Sequence, residues 1–393
     1  MVNSIIRLLR VGHRPTVATA AILLVTAAAL TVALTLDPGQ VLGQPRWAKP
    51  LKFAISFALY LGTIGLLVPL VRGRRAQRVT RWAAIALTAA VVVEMCGITG
   101  QAARGRLSHF NVSTPVDRVV YAALGAGSVV IWTATAALAV VLLRQRTLTT
   151  SLSRGLSLGV LVSLLGISAA FFMVVPSAAV GTGAADPGMR LVGGHAVGVP
   201  DGGPGLPLLG WSTTGGDLRI GHFWGLHALQ ALPLLAFALR ALSARVVFLR
   251  PERVRARLVA LAAAAWTAVT VLLVWQALRG QPLLKPDEVT LLAGAGIVVL
   301  TIAGAWIAVR GSHPATGGKR TGARWTFRLA WRGGQSPARR RGPAGGLRLE
   351  PARTQAPGRR PGRGRAGVRR GPVGGPRRAA GAGQPAAARR GAS

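Results

Sequence analysis

One cysteine, Cys96, occurs in 393 residues. An intrachain disulfide is therefore impossible, and a cysteine-rich metal site is excluded. Acidic residues are also scarce, ten against 48 Lys and Arg. Charged residues make up only 15% of the chain while hydrophobic ones reach 51%, with a mean hydropathy of +0.44. A water-soluble domain of this length needs more polar surface than that. Also missing are a G-x-x-x-x-G-K-[ST] phosphate loop, an H-E-x-x-H zinc motif, and a G-x-G-x-x-G ahead of a soluble helix. Nothing in the chain therefore marks the nucleotide or zinc-protease classes that carry those motifs.

What is present is apolar sequence in long uninterrupted blocks. Residues 17–36 form twenty positions without a charge, the length an α-helix needs to cross about 30 Å of hydrocarbon. Comparable blocks cover 53–71, 82–100, 119–143, 155–179, 220–239, 258–278 and 289–309. The sequence predicts an all-α membrane protein, a bundle of about eight transmembrane helices. The first block exceeds the apolar run of a cleavable signal, about 7–15 residues, and reads as a retained helix. The N-terminus and loops 72–81, 144–154 and 240–257 carry three, five, three and six arginines. The alternate loops carry three, three, two and two basic residues. Basic loops favour the cytoplasm, so both termini are expected there. A composition rich in Ala, Arg, Gly and Pro points to a bacterial plasma membrane.

Net charge is +38, and half of it is local. Residues 311–393 hold twenty Lys or Arg and one acid, Glu350, among Gly, Pro and Ala. Such a segment has little apolar surface to bury and is expected to be a disordered cytoplasmic tail. Its natural partner is anionic lipid headgroups, at about 1 kcal/mol per basic residue near the surface. Aromatic residues end at Trp331 and no folded reader module is visible, so no specific nucleic-acid partner is expected.

Two stretches repeat. "GQAARG" (100–105) and "WQALRG" (275–280) each precede a polar loop with Pro and Asp, and then "ALGAGSVVI" or "LAGAGIVVL". This spacing allows two parallel four-helix copies, a design in which transporters work at the interface between halves. The register would set Lys52 opposite Arg219.

Chemistry concentrates on one side. Glu94 is the one acidic residue inside a predicted block, about 10 Å from its outer boundary. An ionisable group there needs a partner or a wet cavity. Gln101 lies seven residues on, along the same helix face. The outer loops add Lys49, Lys52, Arg104, Arg106, Ser108, His109 and Asn111, followed by Asp217 and Arg219. The stretch "GGDLRIGHFWGLHALQALP" (215–233) then contributes His222, His227 and Gln230. His222 and His227 are about 140° apart round a helix, so one metal or haem cannot take both from a regular helix. Pro233 is expected to kink that helix. The tryptophans read as interface anchors, and the small-residue patches at Gly125–Gly127, Gly221–Gly225 and Gly294–Gly296 as helix packing.

These residues outline a polar cavity on the extracytoplasmic side. They suggest a proton-coupled or small-solute transporter, with a small anionic solute suited to Lys52, Arg104 and Arg219. A membrane-embedded metal- or haem-dependent enzyme and a non-catalytic sensor or scaffold are the alternatives. No cofactor, metal ligand set or catalytic residue is assigned. The combination of "WAKPLKF", "RGRLSHFN" and "GHFWGLHALQALP" resembles an uncharacterised family of bacterial polytopic membrane proteins over about residues 45–240. That resemblance implies membrane location and no mechanism.

Overall fold

The computed structural model describes residues 12–145, 151–174, 188–207 and 209–310. The basic tail and positions 175–179 of the fifth predicted block lie outside these residues. Helices α1 Arg14–Leu36, α2 Ala48–Leu67, α3 Arg74–Ala103 and α4 Pro115–Leu143 form the first half. The second half holds α5 Ser151–Ser168 with a further turn α6 Phe171–Val174, then α7 Leu218–Leu226, α8 Ala228–Leu242, α9 Glu252–Leu278 and α10 Glu288–Arg310. Among the described residues, seven spans are long and apolar enough to cross a membrane, and the bent pair α7–α8, taken as one span, makes an eighth. The chain is a polytopic, all-α membrane protein. Helices dominate because lipid offers no partner to backbone N–H and C=O groups, and a helix satisfies them within itself. The last span is apolar on every side, with Leu292, Val299, Leu300 and Ile307 all exposed, a surface that only lipid or a partner can cover.

Helix ends explain why the observed spans outrun the hydropathy blocks. Thr114 caps α4 by accepting from the Asp117 amide at 3.2 Å, ahead of Pro115. At the other end, α3 and α9 stop identically. Gly105 and Gly280 take positive φ values of 65° and 73°. Arg106 N bonds Gln101 O and Gly105 N bonds Ala102 O, and Gln281 N and Gly280 N repeat this with Gln276 O and Ala277 O. This is the left-handed glycine termination that satisfies the last carbonyls. Arg104 then pairs with Asp117 at 3.1 Å, and Arg279 with Asp287 at 2.6 Å.

The helix neighbours repeat as well. In each half the first span packs on the second, the second on the third, and the third on the fourth. The halves meet where α4 packs on α5, tied by Trp132 Nε1 donating to Ser168 Oγ at 2.9 Å, and where α2 meets α8. Lys52 and Arg219, which the repeat sets opposite one another, donate to adjacent carbonyls, Leu209 O at 2.8 Å and Gly210 O at 2.6 Å.

Three sequence expectations are corrected. Lys49 and Lys52 sit on the first turns of α2 and not in a loop. The fifth helix already includes Ser151 and breaks after Ser168. The sixth span bends by 41° at His227, and Pro233 lies inside continuous helix α8. Glycines on the partner span explain the last point. A Cβ on Gly155 would lie 2.8 Å from Leu232 O, and one on Gly159 3.0 Å from Ala228 O, so α5 presses close against the α8 backbone around Pro233. The bend falls where Gly166 meets Gly225. Gly221 packs likewise on Val274 and Thr270, whereas Gly125 and Gly296 face open space and pack on nothing.

The half of the bundle nearer the arginine-rich loops is solid. Leu61, Ile64, Leu87, Val91, Leu138, Val160 and Leu229 are fully buried there. The opposite end carries the irregular structure. Strands β1 Gln40–Val41 and β2 Gln44–Pro45 form a hairpin, and β3 Ala196–Val197 pairs with β4 Gly216–Asp217. Gly216 lies against the end of α9, where a Cβ would collide with Ala277 O.

Candidate functional site

Beneath this irregular end, between the two halves, lies a cavity of about 1260 Å³. Its walls come from α2, α3 and α4 on one side and α5, α6, α7 and α9 on the other; the β1–β2 hairpin and segment 195–212 form its roof. Of the residues singled out from sequence, Lys49, Lys52, Glu94, His109, Arg219, His222 and His227 line it.

Glu94 is buried on α3. Its Oε1 accepts from Ser128 Oγ at 3.1 Å, and its Oε2 has no hydrogen-bond partner. The space that receives this carboxyl exists because residue 127 is glycine, where a Cβ would lie 3.1 Å from Oε1. His109 Nε2 stands 3.7 Å from Glu94 Oε2, and its Nδ1 is 2.9 Å from Ser108 Oγ. Burial, reinforced by the Lys49 charge, holds the His109 imidazole well below its ordinary value, so it is neutral near pH 7. Lys49 Nζ is buried without a hydrogen-bond partner, 6.0 Å from the Phe53 ring centre. Two opposite groups, one on α2 and one on α3, thus keep hydrogen-bonding capacity unspent inside one cavity.

His222 donates from Nδ1 to Gly166 O at 2.8 Å. A carbonyl only accepts, so the proton of the neutral ring sits on Nδ1 and Nε2 keeps its lone pair. The bend at His227 lets both histidines line the cavity, although a straight helix would set them on different faces. His227 Nδ1 lies 3.4 Å from Gln230 Oε1, and Gln230 Nε2 reaches Thr63 Oγ1 at 3.5 Å below the cavity.

Five expected site residues lie outside the cavity lining. Gln101 and Arg104 bind Asp117 from the end of α3. Asn111 shapes its own turn by accepting from Ser113 N and Oγ. Asp217 caps α7 through the Arg219 amide and grips the Arg219 guanidinium at 2.9 and 2.6 Å. Gln230 is the fifth. Arg104 and Arg219, both read as anion ligands, are thereby neutralised by carboxylates. Lys49 and Lys52 are the cavity lysines without a carboxylate partner, and Arg106 lines the cavity beside them.

Two lining residues escaped the sequence reading, His195 and Asp201. His195 donates from Nδ1 to Asp201 Oδ2 at 2.9 Å, and the same carboxylate accepts from the His195 and Ala196 amides. Burial alone would raise the Asp201 carboxyl, but His195 and these amides outweigh it and hold it low. The only sequence signal was a His and an Asp six apart in Gly- and Pro-rich sequence, which carries no periodicity. Phe110 completes the roof, its ring 5.0 Å from His195, with a positive φ of 65°. That conformation is uncommon for a bulky residue and is held by the surrounding loops.

Among the described residues no three His, Cys, Asp or Glu side chains are grouped to hold a metal ion. Compared with protein-family models, curated proteins and solved structures, the chain matches none.

Proposed function

We propose that the chain is a carrier for an anionic substrate, with Glu94 as its proton-carrying group and Lys49 as the substrate's counter-charge. One observation supports this most. The cavity sits between the first four and the last four spans and ends part-way through the membrane at Glu94, nine residues or about 14 Å from the end of α3. Beyond Glu94 the halves close on solid apolar packing. A site at the repeat interface, open to one side and sealed from the other, is what alternating access requires. The excess of arginine in the loops at the sealed end makes that end cytoplasmic and the roofed end extracytoplasmic. The fit of Lys49 to an anion follows from its unpaired, buried ammonium, a costly arrangement without a counter-charge.

Accessibility measures this without knowing the substrate. In a Cys96→Ser background, Ser56→Cys places one thiol in the cavity wall. A membrane-impermeant maleimide is applied to right-side-out and inside-out vesicles. A carrier labels from both sides, with a ratio that shifts on Glu94→Gln. Labelling from one side alone, at every pH, overturns the proposal. It would favour a dead-end enzymatic pocket, for which the oriented His195–Asp201 pair is the supporting feature.

A further inference from the structure

We infer that the substrate is an anionic membrane lipid, entering sideways from the bilayer through a gap between α2 and α7, with its headgroup phosphate on Lys49. The inference names the substrate class of the carrier proposed above and rests on that reading for transport, though not for binding.

Three observations carry it. First, the cavity is larger than the roughly 300–1,000 Å³ that encloses a drug-sized ligand. Its walls are largely apolar, with Phe53, Phe57, Phe171 and Trp266 among them. A small inorganic or carboxylic anion would leave most of that surface uncovered. Second, the cavity has a flank as well as a roof. The 41° bend at His227 separates two contacts of the sixth span: α8 meets α2, whereas α7 packs on α5 and α9. Above the Gln230–Thr63 contact, Ile55 and Leu59 of α2 and Trp224 of α7 line the cavity and are 44%, 48% and 39% exposed. Leu59 is eleven residues into α2, about 16 Å along the helix, at acyl-chain depth in a span of about 30 Å. An opening at that depth admits hydrocarbon and not water.

Third, the polar end of the cavity is charged as a phosphodiester requires. The carboxylate of Asp217 is committed to Arg219, and that of Asp201 to His195. Lys49 has no hydrogen-bond partner, and Lys52 donates to a neutral carbonyl. Two lysine amines one turn apart on α2 therefore stand under the roof without a carboxylate of their own, and a phosphate beside them would hold both protonated. Glu94, lower down, would when ionised repel a second negative charge and so orients the headgroup upward. Apolar walls with a lateral gap, and cations at the roof, fit a two-part ligand.

The test uses the full chain in a nonionic detergent. Binding is measured for phosphatidylglycerol, for phosphatidylcholine with the same acyl chains, and for inorganic phosphate. The expected result is that phosphatidylglycerol binds at least tenfold tighter than phosphatidylcholine, and that phosphate neither binds nor competes at millimolar concentration. Lys49→Met should bring phosphatidylglycerol down to the phosphatidylcholine level, while Lys49→Arg keeps most of the preference. Folding of Lys49→Met is checked by its melt, which should be no lower than wild type because the variant removes an unpaired buried charge. Ile55→Trp, which fills the gap, should slow lipid association at least tenfold and leave the melt unchanged.

Equal affinity for the two lipids, or an undiminished preference in Lys49→Met, overturns the inference. Phosphate binding as tightly as the lipid overturns it in favour of a free anion. Failure of two-sided labelling at Ser56→Cys would remove transport and leave lipid binding standing, so the two readings fail separately.

Discussion

Gly166 is the position on which the bent span depends, and replacing it with alanine tests that dependence. A Cβ there would fall 2.4 Å from Leu226 N, 2.5 Å from Gly225 C and 2.7 Å from Gly225 Cα. All three are backbone atoms, so no side-chain rotation relieves the clash, and α5 must move away from α7 by about 1 Å to restore ordinary contact. Overpacking of this kind costs about 1–3 kcal/mol, and rigid neighbours put Gly166 at the upper end. Alanine returns up to about 1 kcal/mol of helix propensity, for a net loss near 2 kcal/mol. Gly296 on α10 is the control, because a Cβ there meets nothing within 4 Å. Gly296→Ala should gain up to about 1 kcal/mol from propensity alone. The two variants should therefore differ by about 3 kcal/mol, two orders of magnitude in the unfolding equilibrium. Titration with SDS in mixed micelles, followed by helicity, measures both. The displacement also stretches the His222–Gly166 bond, so Gly166→Ala should weaken ligand binding in the cavity. A Gly166→Ala protein as stable as Gly296→Ala refutes the close crossing and the account of the bend.

The roof gives a second prediction. Asp217→Ala removes the cap of α7, the Ser212 amide bond and both carboxylate contacts to Arg219. A cap is worth about 0.5–2 kcal/mol, and breaking a buried pair costs about 3–5 kcal/mol. With Arg219 partly exposed the loss should be about 3 kcal/mol, together with faster proteolysis of segment 188–217; a loss below about 1 kcal/mol would contradict the assigned contacts. Acid should destabilise the fold. His109 and Asp201 both have lowered values when folded, so at these two groups the native state binds fewer protons than the unfolded chain. Their contributions are complete above the unfolded values. The His109 contribution drains below about pH 6.5, by up to about 1.4 kcal/mol per pH unit, and that of Asp201 below about pH 3.9. A slope of the thermal midpoint between pH 7 and 5 that is unchanged in His109→Phe would refute this. Lastly, Tyr60 Oη and Thr135 Oγ1 share a 2.5 Å hydrogen bond in the solid half of the bundle. Tyr60→Phe should cost about 0.5–1.5 kcal/mol, since Thr135 keeps its own bond to Ile131 O. A loss above 3 kcal/mol would mean that the hydroxyl has a further role.

The sequence by itself determined the class, the number of spans and the end of the molecule where polar side chains gather. Those properties follow from hydrocarbon thickness and from the cost of charge in lipid, which act on each segment separately. It also exposed Glu94, because an acid amid twenty apolar residues is anomalous whatever its neighbours are. The repeated Gln-Ala-x-Arg-Gly was legible for a related reason, since a left-handed termination needs glycine at a fixed place. Tertiary structure alone decided which polar residues share a space. Arg104 and Arg219 read as free cations until Asp117 and Asp217 were found beside them, and Lys49 became distinctive only by being left unpaired. His195 and Asp201 meet through a loop with no period to read. The bend at His227, and not at Pro233, is set by Gly166 on another helix, 59 residues before Gly225 in the chain. Packing between spans depends on close approach across the bundle, and no local pattern along one segment records it.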